Sequence, residues 1–368
     1  MNTIQKVQLL GQSIWYDNIN RELINNGYIK NLLDNGVTGL TSNPTLFEKA
    51  ISAGNSYDND LLALSKSGLS TEEIFESLAI KDIENVADLL FPIYKTTDKK
   101  DGYVSLEVNP NLAYDINHTI IEAKRIFNKL NRPNIMIKIP GTNEGAIVLK
   151  ELISEGININ VTLIFSQEAY SKIRESYLLG LEAFARKGGD LSQVHSVASF
   201  FISRVDTVID NQLNALPPSF DKIRRKLLNC LGVSNAKIAY ESFNRTFSSK
   251  RFEFLLSKGA NIQRPLWAST STKNPDLSDV LYLDSLIGEN TVNTVPDNTL
   301  KAFLDHGSSI PVLKENIAKA KENVDLLEQL GIDLKESLDQ LLVDGIKSFT
   351  DSYNKLIVNI EAKIKSLN

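Results

Sequence analysis

The sequence predicts an α/β chain folded as a (β/α)8 barrel with additional helices. Two observations carry this reading. Eight short apolar or β-branched runs recur along the chain, and most are spaced by about one strand–helix unit. The stretches between them show helical periodicity, so the strands are expected to lie parallel and close on themselves.

Taken in order, the runs cover residues 13–18, 37–41, 103–108, 135–139, 157–165, 194–199, 237–240 and 265–269. The first ends near Asp17, and the second leads into a Thr-Ser-Asn-Pro turn sequence. The longest gap, 48–102, holds two or three helices, one of them opening near Ser70 (STEEIFESL). After the third run, residues 117–130 place Ile120, Ile121, Ala123, Ile126, Phe127 and Leu130 at helical spacing. After the fifth, Ser166 is a plausible N-cap for a helix over 166–185. Beyond the eighth, residues 297–306, 312–330 and 333–365 read as helical. A typical barrel needs roughly 250 residues, and this chain has 368. The surplus is expected in a helical insertion around 48–102 and in C-terminal helices around 297–366. No linker divides the chain, so residues 1–368 read as one elaborated domain.

Composition narrows the function classes. The hydrophobic fraction is 42% and the charged fraction 23%, ordinary for a globular chain. Forty basic against 45 acidic residues leave a net charge of −5, with no basic excess to attract nucleic acid or anionic lipid. A single cysteine, Cys230, cannot form an internal disulfide, which fits a reducing, cytoplasmic compartment. Three histidines and one cysteine argue against a zinc cluster. The N-terminus does not read as a signal peptide, and no apolar run is long enough for a transmembrane helix.

Buried parallel strands normally read as continuous apolar runs, and several of these carry polar residues near their carboxyl ends, where barrel active sites form. Lys138 stands in IMIKIPGT with isoleucine on either side. An edge lysine could snorkel there, but a closed barrel has no edges. Burial disfavours the charged form of a lysine, and a neutral amine forms Schiff bases with carbonyl substrates. Asp17 can cap a turn, and Glu107 can pair with a cation; beside an amine, the two carboxyls could instead move protons. Asn43 fits either a turn or a binding role. Thr162 and Ser199 are small strand residues whose hydroxyls could face the site. Arg204 is either a surface ion-pair partner or a bidentate phosphate clamp. Ser269 ends the eighth run.

No GxGxxG after a strand, GxxxxGK[ST] or GxSxG is present, so neither nucleotide binding nor a nucleophile elbow is signalled. His195 reads as a core or supporting residue with a weaker claim to catalysis, and Gly188–Gly189 as a turn. Trp15 and Trp267 fall in the first and eighth runs, adjacent in a closed barrel, and are expected to pack together.

These residues lie in segments that resemble the transaldolase family. GLTSNPTLF (39–47) and IMIKIPGTNEG (135–145) look like its two signatures; VSLEVNPNLA (104–113), INVTLIFS (159–166), SVASFFISRVD (196–206), RPLWASTSTKNP (264–275) and TVNTVPDNTL (291–300) support the likeness. The length and the form of the eighth run resemble the longer bacterial transaldolases. The resemblance implies a class I aldolase-type barrel. The reaction would move a dihydroxyacetone unit from sedoheptulose 7-phosphate to glyceraldehyde 3-phosphate in the pentose phosphate pathway. It implies Lys138 as the Schiff-base lysine and Asp17 as the acid/base at the substrate's C4 hydroxyl. Glu107 and Thr162 would hold a catalytic water. Asn43 and Ser199 would bind the dihydroxyacetone hydroxyls, and Arg204 and Ser269 the phosphate. No metal or organic cofactor is implied. The partners are sugar phosphates, with no nucleic acid or membrane, and the chain is expected to be a homodimer or a monomer.

One position departs from the pattern. Many shorter transaldolases carry a second phosphate arginine two residues after the serine at 269, and here that position is Ser271, leaving Lys273 as a nearby point charge. The related fructose 6-phosphate aldolases, which release free dihydroxyacetone, usually carry Gln and Tyr where this chain has Glu107 and Phe201. A non-catalytic sugar-phosphate-binding barrel would be expected to lose the lysine or the carboxylates, and this chain has them all.

Overall fold

The computed structural model describes residues 1–367 and contains the expected barrel. Eight strands close in sequence order: β1 (Gln12–Tyr16), β2 (Gly39–Thr41), β3 (Tyr103–Glu107), β4 (Ile135–Pro140), β5 (Ile159–Ile164), β6 (Ser196–Phe201), β7 (Gln263–Ala268) and β8 (Thr291–Val295). Every pairing is parallel, and β8 closes onto β1 with Trp15 opposite Thr294.

Two strand assignments from sequence are corrected. Residues 237–240 belong to helix Leu231–Phe247. In isolation KIAY reads as a short apolar strand, but its flanks continue a helical period: Ala236, Ala239, Tyr240 and Phe243 are buried at i, i+3, i+4 and i+7. The run at 265–269 is therefore the seventh strand, and TVNTV at 291–295 is the eighth. Its polar residues disguise it, yet Thr291, Asn293 and Thr294 are all buried. The tryptophans consequently do not meet. Trp267 faces outward and meets the edge of Phe200, with ring centroids 6.2 Å apart. Trp15 faces into the barrel, where its indole N–H donates to Asp101 at 2.9 Å.

The period of two decides which residues reach the interior. The outward residues Ile137, Ile139, Val161 and Ile159 join the apolar layer under the helices, whereas Met136 packs among the inward residues. At the amino end of the barrel Asp101 also accepts from Ser13 and forms an ion pair with Arg264 at 3.1 Å. Gly39 is required on β2, because a Cβ there would stand 2.5 Å from the Trp15 indole.

Between β2 and β3 run helices Pro44–Ala53, Asp58–Ser65 and Thr71–Thr96, the last opening with a Ser70/Glu73 capping box. Ser166 caps helix Gln167–Arg186 through the amide of Ala169. After β8 come helices Asp297–His306, Ile317–Gln329 and Leu334–Leu367. The last begins later than residue 333 and packs along helix Pro44–Ala53, with bonds from Thr45 to Ser352 and from Asn359 to Glu48. No helix among the described residues is long and apolar enough to cross a membrane.

Candidate active site

Register builds the centre of the site. Glu107 pairs with Lys138 across β3–β4, and Lys138 with Asn160 across β4–β5. Neighbours in register on parallel strands point to the same side, so a carboxylate, an amine and an amide stand side by side inside the barrel. Lys138 is 5% exposed, which for an ammonium group requires partners. It donates to the Ser42 carbonyl at 3.1 Å and lies 3.4 Å from Glu107 Oε2. The latter contact is electrostatic and off the hydrogen-bonding direction, so Oε2 has no hydrogen-bond partner in the protein.

Asp17 follows β1, its amide donating to Val295 at 2.9 Å. Its carboxylate accepts from Thr41 Oγ1 at 2.7 Å. Burial holds its pKa above the ordinary carboxylate value, opposed by the charge of Lys138 and by the Thr41 hydrogen bond. Burial likewise raises Glu107, opposed by Lys138 and reinforced by the negative charge of Asp17. Two carboxyls with pKa values raised by burial therefore lie near one amine.

Thr162 lies on β5 opposite Pro140, fully buried, and its hydroxyl has no protein partner. Ser199 Oγ donates to Asn160 Oδ1 at 2.7 Å, and Asn160 Nδ2 donates to Ser105 at 3.1 Å. Asn43 is half-buried and caps helix Pro44–Ala53 through the amide of Leu46. The structure thus gives Asn43 a capping role at the turn.

A second centre sits at the start of helix Ser203–Asn214. Arg204 is half-buried, and no carboxylate offsets the cost of that burial, which depresses its pKa. Its guanidinium lies over the Phe201 ring, 5.2 Å from the centroid, and Phe201 packs on Phe165. Ser269, in a left-handed conformation at φ 56°, faces Ser203 with hydroxyl oxygens 2.9 Å apart. Lys273 is exposed, and burial of its stem together with the charge of Arg204 lowers its pKa. An unpaired arginine at a helix N-terminus with two hydroxyls beside it is suited to an anion such as phosphate.

Sequence reasoning missed Asn160, Thr41, Thr294, Ser42 and Phe349. Asn160 carried a readable signal, since it lies two positions before Thr162 and so shares its face. Thr41 and Thr294 meet only because β8 closes on the barrel, their oxygens 2.6 Å apart. His195 is remote in role: it precedes β6, packs on the Tyr103 ring at 5.4 Å, and burial drives its pKa down to about 4. No group of three His, Cys, Asp or Glu among the described residues could hold a metal ion. A cavity of about 500 Å³ between helices Thr71–Thr96 and Ile116–Leu130 touches Glu107. Its cations Arg125 and Lys129 are already paired with Glu76 and Glu122, so it offers no free charge for a phosphate.

Similarity to known proteins extends over nearly the whole chain. Residues 14–360 match the family described as transaldolase/fructose-6-phosphate aldolase. The chain is 43% identical to "Transaldolase 2" of a Nostoc species over 377 residues, covering 100% of this chain and 99% of that protein. It is 45% identical to the transaldolase of Trichodesmium erythraeum over 374 residues, covering 100% and 98%. It is also 42% identical to "Transaldolase 2" of Streptomyces coelicolor over 359 residues, covering 97% and 96%.

Proposed function

The chain belongs to the transaldolase/fructose-6-phosphate aldolase family and is a transaldolase, and we propose that its chemistry runs through a Schiff base on Lys138. The observation that carries this is the buried Lys138 amine 3.4 Å from Glu107, inside a barrel that also presents Asp17. The donor is sedoheptulose 7-phosphate and the acceptor glyceraldehyde 3-phosphate, giving erythrose 4-phosphate and fructose 6-phosphate.

The amine adds to the ketose C2 and water leaves, forming an iminium ion. Glu107 and Thr162, each with an oxygen unpaired in the protein, are suited to hold a water that relays protons in this step. Asp17 takes the proton from the C4 hydroxyl. The C3–C4 bond breaks, its electrons pass to the imine nitrogen, and the aldose departs. The remaining enamine then attacks the acceptor aldehyde, whose oxygen takes the proton back from Asp17; water adds to C2 of the resulting iminium and the C–N bond breaks, releasing fructose 6-phosphate and the free amine. Ser199, Asn160 and Asn43 hold the dihydroxyacetone hydroxyls. Arg204 and Ser269 bind the phosphate, with Lys273 as a further charge near Ser271. The protein works as a monomer or homodimer in the cytoplasm.

Borohydride reduction in the presence of fructose 6-phosphate tests the assignment. A covalent adduct is expected in the native protein and none in Lys138→Met. An adduct that persists in the variant would overturn it. Rapid release of free dihydroxyacetone without an acceptor would instead indicate an aldolase.

A further inference from the structure

The C-terminal helix Leu334–Leu367 brings a side chain to the reactive amine from 211 residues away in sequence. Phe349 is buried, and its ring lies over Lys138, with Nζ 5.6 Å from the ring centroid. One helical turn earlier, Gly345 allows the helix to approach this closely. A Cβ there would stand 2.9 Å from Leu163 Cδ2 and 3.7 Å from Arg204 Nη1. Leu163 itself rises into this contact because β5 is irregular between Val161 and Ile164, with Leu163 at φ 58°. Leu341, Gly345 and Phe349 are all buried and repeat every four residues, so one stripe of the helix faces the barrel mouth. Beyond Phe349 the bonds from Thr45 to Ser352 and from Lys363 to the Ile51 carbonyl tie the helix to the element that follows Asn43.

We propose that Phe349 is a specificity-determining residue that roofs the Lys138 imine and biases the bound dihydroxyacetone unit toward transfer over hydrolysis. The inference rests on the Schiff-base reading above. After cleavage the enamine has two fates. Its C3 can attack an aldehyde, forming a C–C bond while the aldehyde oxygen takes a proton. Alternatively C3 is protonated, one water adds to the iminium carbon, and the C–N bond breaks to return the free amine and dihydroxyacetone. Both fates end with water adding to an iminium carbon, but only the second requires C3 to be protonated by water or an acid before an aldehyde arrives. An apolar ring against the nitrogen removes one direction of water approach and presents its electron-rich face to the iminium charge.

The test measures two rates in each of three variants: dihydroxyacetone release from fructose 6-phosphate without acceptor, and transfer to an acceptor aldehyde. Phe349→Ala is expected to raise the release-to-transfer ratio about tenfold, a change of ~1.4 kcal/mol in relative barriers. Phe349→Leu, which keeps apolar cover, should stay within about twofold of the native ratio. Gly345→Val leaves Phe349 intact but forces the helix away from Leu163, and should shift the ratio as Phe349→Ala does. An unchanged ratio in both Phe349→Ala and Gly345→Val, with borohydride adducts still forming, would overturn the inference. A parallel fall of release and transfer would overturn it equally. Failure of the native protein to form any adduct would instead refute the Schiff-base reading itself.

Discussion

Thr41 Oγ1 donates to the Asp17 carboxylate at 2.7 Å, and Thr294 Oγ1 lies 2.6 Å behind it. Because the Thr41 hydrogen is committed to Asp17, Thr294 must be the donor between the two threonines. A relay from β8 through β2 thus orients the carboxyl that feels the charge of Lys138. Thr41→Val keeps the shape and deletes the donor. Since that bond favours the ionised carboxylate, its loss moves the pKa of Asp17 further up. The acidic limb of the kcat profile is expected to shift to higher pH, with kcat at its optimum down about tenfold, or ~1.4 kcal/mol. A pH–rate series on the variant measures both, and an unmoved acidic limb would show that Thr41 only packs.

Asp17→Asn separates imine formation from bond cleavage. The amide cannot take the C4 proton, so kcat should fall by about 10²–10⁴. The borohydride adduct at Lys138 should still form, because Asp17 does not contact the amine directly. Loss of the adduct together with activity would assign Asp17 an earlier role.

Arg204 has no carboxylate partner, so removing it leaves no buried counter-charge behind. Arg204→Ala is expected to raise the KM for sugar phosphates roughly 10–100-fold, in line with ~1.5–3 kcal/mol for hydrogen bonds to a charged group. Arg204→Lys should recover part of this, since a point charge replaces a planar fork. Lys273→Ala should weaken the same KM by a smaller factor. An unchanged KM would remove Lys273 from the phosphate site.

Gly39→Ala tests the packing of the barrel interior. The new methyl would overlap the Trp15 indole, whose N–H is anchored on Asp101. A loss of about 1–3 kcal/mol is expected in denaturant unfolding. Stability equal to the native protein would mean that the indole has room to move.

Asp206 makes stability depend on pH. Burial pushes its carboxyl up to about 6 from 3.8, although Gly232 N and Tyr282 Oη donate to it at 2.7 and 2.9 Å. The folded state therefore favours the protonated form. Its contribution is complete below pH ~4 and declines as pH rises through about 6, by on the order of 3 kcal/mol. Asp206→Asn stays neutral at every pH and should remove this decline. Unfolding series between pH 4 and 8 on both proteins would show it, and parallel curves would exclude Asp206 as the source.

The sequence by itself determined the barrel architecture and singled out Lys138 as the candidate amine. A lysine flanked by isoleucines in a buried strand has few physical fates, and one of them is an activated nucleophile. The period of two then put Glu107, Thr162 and Ser199 on the face of Lys138 once their strands were recognised. Local pattern failed where tertiary context outweighed it. KIAY has strand composition but lies in a helix whose buried stripe it completes, and TVNTV is polar yet buried because barrel closure supplies its partners. Only the tertiary structure decided how Asp17 is oriented, since Thr41 and Thr294 are 253 residues apart in sequence. It alone brought Phe349 over the amine. Neither contact has a periodicity to betray it, because a hydrogen bond across a closing seam and a ring laid over a barrel mouth depend on where whole elements come to rest.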